Sequence, residues 1–220
     1  MSNNYFSPKE ENKNTDRLLK LIGSEYIPEQ VPIIPEEYSE FQNCFGNVDK
    51  KIKKDGGYVH YGWAIFQSKI LCEGERHAVW ESEDGELIDI TPREDKMDEI
   101  MFVSDPDFEY TGQVIDNYRI NITNNKLVND FIKVCEHLSK LYNLGERRDD
   151  YTLNVDTRLG KMIYEYEKLK SAIQIHIESG NNERSKCVCG GPKNYKNCHQ
   201  KIILSNMPKD YREIVNVLQE

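Results

Sequence analysis

The sequence predicts an α+β fold carrying a small metal-bound tail, on three observations. Apolar residues recur at helical spacing in three windows, 38–52, 125–143 and 156–177. Between the first two lies a stretch, 58–90, rich in Tyr, Val, Trp, Ile and Phe and broken by a turn signal, which reads as antiparallel strands. Near the end, three of the six cysteines crowd into twelve positions with a histidine beside the last. In a chain without secretory features that clustering reads as metal ligation rather than a disulfide framework.

Composition bounds the function. Of 220 residues, 38% are hydrophobic and 30% charged, enough apolar content for a real core and too much for disorder throughout. No apolar run of ~18 residues exists to span a membrane. Met1 to Asp16 lacks the apolar stretch of a secretory signal, so a cytoplasmic location is expected. The net charge of -9 splits into -12 over the first 180 residues and +3 over the last 40. An acidic body repels polyanions, so nucleic acid is not expected as a partner, and the basic tail reads as solvated surface.

The elements follow in order. Residues 1–35 read as an N-terminal extension: a short helix over Thr15–Ile22, then Pro28, Pro32 and Pro35, which punctuate an extended connector. The body spans 36–180, divided into a core at 36–122 and a helical part at 123–180. It opens with Tyr38, Phe41, Phe45, Val48 and Ile52 on one helix face, stopped by Gly56-Gly57. Strand-like sequence runs from Tyr58 to Leu71. Strands at Arg76–Trp80 and Glu86–Ile90 then flank the turn signal Ser82-Glu83-Asp84-Gly85. Beyond Pro92 the chain reads as irregular to about Asn121. The helix over Asn125–Asn143 buries Leu127, Phe131, Val134, Leu138 and Leu141 and stops at Gly145. A second helix covers Asp156–Ile177. Ser179 to Asn182 reads as a linker to a tail, 181–220, that closes with a helix over Pro208–Leu218.

In the tail, Cys187, Cys189, Cys198 and His199 give the spacing C-x-C-x8-C-H. Thiolate and imidazole suit a tetrahedral zinc, and close pairs at the two ends of a short loop can reach one ion from two sides. Gly190 and Gly191 let the backbone turn right after the first pair. A tail this short buries little core, so the metal would supply much of its folding energy. The segment CVCGGPKNYKNCHQ resembles the SEC-C motif, the zinc-binding end of the SecA translocation ATPase that recurs on many bacterial proteins. Cys189-Gly190, Tyr195 and Cys198-His199 fit that pattern. Val188 replaces its proline, and Gly191-Pro192 replaces its Ser-Gly. The resemblance implies one structural zinc and a docking surface for a protein partner or the ribosome.

A second constellation lies in the body: Cys44 at the first helix, His77 in one strand and Asp89 in the next. A thiol nucleophile needs a base to deprotonate it and a carboxylate to orient that base. Asn43 as N-cap would put Cys44 at the first helical position, where the dipole favours a thiolate. One continuous helix over 38–52 would remove that advantage. Hairpin arithmetic tests the other pair. A loop of Ser82–Asp84 puts His77 directly opposite Asp89, and a loop of Glu83–Gly85 makes them diagonal neighbours on one face. A two-residue Asp84-Gly85 turn puts them on opposite faces.

The stretch RHAVWESEDGELIDITP resembles the His–Asp segment of transglutaminase-like and papain-like cysteine enzymes, which in transglutaminase-like proteins often reads H-A-W-x-E, a Gly turn, then a short strand ending D-x-T. His77-Ala78, Trp80-Glu81, Gly85 and Asp89-Ile90-Thr91 fit, with the tryptophan one position late. This resemblance implies a papain/transglutaminase-like antiparallel sheet packed with helices. It also implies a cysteine hydrolase or acyltransferase acting on an amide or peptide, with Cys44 as nucleophile, His77 as base and Asp89 as its orienting acid. The Cys44 amide with Gln42 or Asn43 would serve the oxyanion. The rival is a non-catalytic adapter that docks a protein partner through its zinc tail. Elsewhere Cys72 and Cys135 read as core, His137 as surface, His60 as a neighbour of strand aromatics and His176 as a helix-terminal cation.

Overall fold

The computed structural model describes residues 5–93, 97–148 and 151–219. These divide into two compact units, 1–122 and 123–220. The first unit is built on an antiparallel sheet. Its strands are β1 (Glu29–Pro32), β2 (Tyr58–Gln67), β3 (Leu71–Glu81), β4 (Leu87–Ile88), β5 (Glu99–Ser104) and β6 (Tyr118–Asn121). The order is β1-β5-β2-β3-β4, with β6 pairing the first residues of β3. Ile33, just past β1, bridges Asp89, just past β4, so the sheet curls nearly into a barrel.

Strand alternation sorts the core. Trp63 and Ile65 of β2 pack with Cys72, Met101, Val103 and Leu18, whereas Ala64 and Phe66 pack with Val31, Val79, Ile100 and Phe102. Leu18 belongs to α1 (Lys13–Ile22), whose start is a capping box: the Asn12 side chain accepts the Thr15 amide, and the Thr15 hydroxyl accepts the Asn12 amide. Gly74 makes room for this helix. A Cβ there would stand 3.0 Å from Ile22 Cδ1.

Three parts of the first unit differ from the sequence reading. The proline-rich connector supplies β1, and Phe6 pairs with Gln67 while Ser7 Oγ accepts the Met101 amide, so residues before 36 are part of this sheet's fabric. The stretch read as irregular holds β5 and β6; its residues 94–96 lie outside the described residues. Ile100 to Val103 are all buried, so the apolar–polar alternation that marks a half-exposed strand is missing there. Finally, α2 (Cys44–Asp55) begins at Cys44 and not at Tyr38. The Asn47 side chain accepts the Glu40 amide and donates to the Glu40 carbonyl, and Gln42 takes a positive φ of 58°. That turn diverts the backbone before the helix, leaving Phe41 exposed.

The second unit packs α3 (Leu127–Tyr142) with α4 (Thr157–Glu178), between which β7 (Glu146–Arg147) pairs β8 (Leu153–Asn154). The apolar residues expected on α3 are all buried, as is Cys135. His137, read as surface, is only 6% exposed and packs edge-on to Tyr166. The last helix, α5 (His199–Leu218), starts at His199 and carries Pro208 inside it. A proline is favoured at a helix start but is tolerated within one at the cost of a hydrogen bond, which is why Pro208 misled the boundary. Side chains tie α5 to both neighbours: Gln200 Nε2 donates to Asp130, and the Tyr166 hydroxyl to Asp210 at 2.7 Å. Among the described residues, no helix is long and apolar enough to cross a membrane.

Candidate metal centre and cysteine–histidine–aspartate cluster

Cys187, Cys189, Cys198 and His199 come together as expected, with one ligand atom from each lying within 4.8 Å of all the others. Local backbone geometry explains the convergence. The Gly190 amide donates to the Cys187 carbonyl and Gly190 takes φ 75°, turning the chain straight after Cys189. Lys186 pairs with Asn194, and a single 3₁₀ turn over Tyr195–Asn197 leads into Cys198, the N-cap of α5. Tyr195 is fully buried and anchors this loop.

The sulfur–sulfur separation matches a tetrahedral zinc site, with the imidazole standing closer in. Ligands around a zinc at ~2.3 Å stand about 3.8 Å apart. Cys189 Sγ and Cys198 Sγ are 3.8 Å apart, and His199 Nδ1 is 3.4 Å from Cys198 Sγ and 3.0 Å from Cys187 Sγ. The cluster could therefore hold a metal ion through three sulfurs and Nδ1.

In the first unit, the turn decides the hairpin. Trp80 pairs with Ile88 and Glu81 with Leu87, and the Ser82 amide donates to the Glu86 carbonyl. The loop is therefore Glu83–Gly85, with Gly85 at φ 84°, a conformation costly for any residue with a side chain. This register makes His77 and Asp89 diagonal, and His77 Nε2 meets Asp89 Oδ1 at 3.0 Å. Both are fully buried. Asp89 Oδ1 also accepts the Thr91 amide, and Oδ2 accepts Arg93 Nη2 at 3.2 Å.

Arg93 Nη2 is likewise 3.2 Å from His77 Nε2. With Asp89 ionised, the proton between the pair belongs on Nε2, so two N–H groups face each other there and the carboxylate between them serves both. Burial alone would lower the imidazole, but the charges of Asp89 and Cys44 raise it against that of Arg93, to about 10. Burial pushes Asp89 up, yet the imidazolium and the guanidinium hold its carboxyl below the usual range.

Cys44 stands at the head of α2, packed with Val48, Ala78 and Ile90 and 7% exposed. It lies near enough to the His77 ring for the two to act on one another electrostatically. No hydrogen bond joins the two, and His77 Nδ1 is buried without a hydrogen-bond partner among the described residues, the Glu75 carboxylate standing 3.7 Å away. Asn43 is the N-cap residue, but its side chain makes no capping bond; it donates instead to Glu40 Oε2. The first amides of α2 are thus left uncapped by Asn43. Asn47, one turn on, donates to Thr91 Oγ1 and links the helix to the Asp89 segment. Beside Cys44, Tyr61 lies edge-on to Phe108, and Phe45 stacks on Tyr110 at 3.9 Å.

Sequence reasoning missed Arg93 and Asn47. Thr91 sits in the D-x-T pattern, but nothing in the order of residues marks an arginine beyond Pro92 as the partner of Asp89. The remaining candidates are accounted for by packing: Cys72 is buried in β3, and both His60 nitrogens are engaged, with Glu81 and Ser104 at 2.9 Å. Comparison with protein-family models, with curated proteins and with solved structures finds no match for this chain.

Proposed function

We propose that this is a zinc-binding protein whose first unit is a cysteine hydrolase or acyltransferase acting on an amide or peptide. The observation that carries the reading is the fully buried His77–Asp89 pair at 3.0 Å, with Cys44 at the head of α2 close to the same imidazole. In the reaction, Cys44 and His77 act as a thiolate–imidazolium pair: the thiol proton already rests on His77 Nδ1, the nitrogen not engaged with Asp89, and the Cys44 thiolate attacks the carbonyl carbon. The uncapped amides of α2 donate to the oxyanion. The C–N bond then breaks, the leaving amine takes the proton from Nδ1, and water or a second amine resolves the thioester. Asp89 holds Nε2–H throughout, so the ring keeps one orientation.

The metal cluster has four protein ligands and no open position, so zinc there would be structural. Its place in the chain, and its resemblance to SEC-C, support a docking role for a protein partner. A second reading, the non-catalytic adapter, is favoured by one observation: Cys44 is nearly buried and makes no hydrogen bond to His77.

Iodoacetamide alkylation of Cys44, followed by mass spectrometry from pH 5 to 9, separates the two. An activated thiolate labels fast at pH 6, faster than the buried Cys72 and Cys135, and slows at least tenfold in His77→Gln. Slow labelling that the substitution leaves unchanged, in variants shown to be folded, removes the enzyme and leaves the adapter.

A further inference from the structure

A cavity of about 560 Å³ opens in the second unit, between α3 and α5. That volume lies within the range of small-molecule sites. Met207 and Tyr211 form part of an apolar wall, and the rim carries Lys133, Lys140 and Arg212 against a single acid, Glu136. None of the three cations is engaged in an ion pair among the described residues. His137 also lines the cavity. Its side chain is buried, and its Nε2 has no hydrogen-bond partner among the described residues. Burial lowers this imidazole to about 4, with Lys140 adding to the effect against the charge of Asp210, so the ring is neutral near pH 7.

An orphaned buried ring nitrogen costs stability wherever water and protein both fail to reach it. It is compensated when a ligand brings an acceptor to it. The neighbouring groups say what that occupant is. Apolar side chains want an apolar body, and three unpaired cations want a negative charge at its edge. A neutral imidazole can donate Nε2–H to a carboxylate oxygen without bringing a fourth positive charge into the cavity. We infer that the cleft between α3 and α5 binds a small organic acid, its carboxylate toward His137 and the cationic rim and its apolar body against Met207 and Tyr211. The site is separate from the cysteine cluster and from the metal ligands, so it stands whatever Cys44 does.

The test uses the full-length, zinc-loaded protein and three aryl carboxylates: benzoate, phenylacetate and 4-phenylbutyrate. Each is titrated beside its neutral amide while the His137 ring signals are followed by ¹H–¹³C NMR. At least one acid should shift them saturably, with its amide binding at least tenfold more weakly. Lys140→Gln and Arg212→Gln, both at exposed positions whose folding can be checked by thermal melts, should each weaken the acid at least threefold. The inference is overturned if no acid shifts His137 saturably, or if acid and amide bind alike. It is equally overturned if only a glutamate-rich peptide binds, which would make the face a protein-docking surface.

Discussion

His77 and Asp89 meet at 3.0 Å from diagonal positions of a hairpin, both fully buried, and Arg93 closes the second oxygen of the same carboxylate. Removing one member of such a buried set leaves a charge without its counterion, which costs about 3–5 kcal/mol. Asp89→Asn should therefore lower the unfolding free energy by that order, measured in urea. A loss below about 1 kcal/mol would mean the pair contributes little to this fold.

The same pair sets a pH window. His77 titrates higher when folded than unfolded, so its contribution is full below about pH 6.5 and is lost as pH rises toward 10. Asp89 titrates lower when folded, so its contribution is full above about pH 4 and is lost as pH falls further. Stability should thus peak between about pH 4 and 6.5 as far as these two groups decide it. In His77→Gln the alkaline decline from pH 6.5 should flatten, and urea midpoints measured at pH 6 and pH 9 would show it.

Asn47 holds the turn ahead of Cys44 through both backbone groups of Glu40 and reaches Thr91. Asn47→Ala removes these three bonds and leaves the buried Thr91 hydroxyl without this partner, which should cost about 1–3 kcal/mol. It should also change Cys44 alkylation more than a substitution of equal destabilisation placed in α1. Equal effects would reduce Asn47 to general support.

Two helical glycines should respond differently to alanine. At Gly160 in α4 a Cβ meets only Val155 Cγ2 at 3.5 Å, so Gly160→Ala should stabilise by roughly 0.5–1 kcal/mol. At Gly46 the Cβ would come within 2.6 Å of Asn43 Oδ1. Gly46→Ala should forfeit that gain, and should displace Asn43 from Glu40. Thermal melts of the two variants side by side make the comparison.

The metal cluster makes a stoichiometric prediction. One zinc per chain should be found by elemental analysis, and Cys198→Ser should abolish it. Chelation should unfold the 183–199 loop and expose Tyr195, read by its fluorescence, while leaving the β-sheet signal in circular dichroism intact. Full metal content in Cys198→Ser would remove this sulfur from the ligand set.

The metal cluster was legible because its ligands are close in sequence: four residues within thirteen positions need only one tight turn to converge, and Gly190 supplies it. The helices over 13–22, 127–142 and 157–178 were legible for a similar reason, since helical periodicity is a local signal. The hairpin could be narrowed to three registers but not chosen among them; the pairing of Glu81 with Leu87 chose the loop. Other features depended on partners distant in the chain. β5 carries no alternation because both of its faces are covered, and β1 exists because β5 offers it an edge. The start of α2 is set by an asparagine that reaches back to Glu40 and across to Thr91. Arg93 joins His77 and Asp89 only because the sheet curls and brings the segment after β4 alongside. Sequence by itself determined which residues can ligate, which can titrate and which stretches prefer helix. Tertiary structure alone decided which of them meet, because burial and long-range pairing depend on what covers each residue and not on its neighbours in the chain.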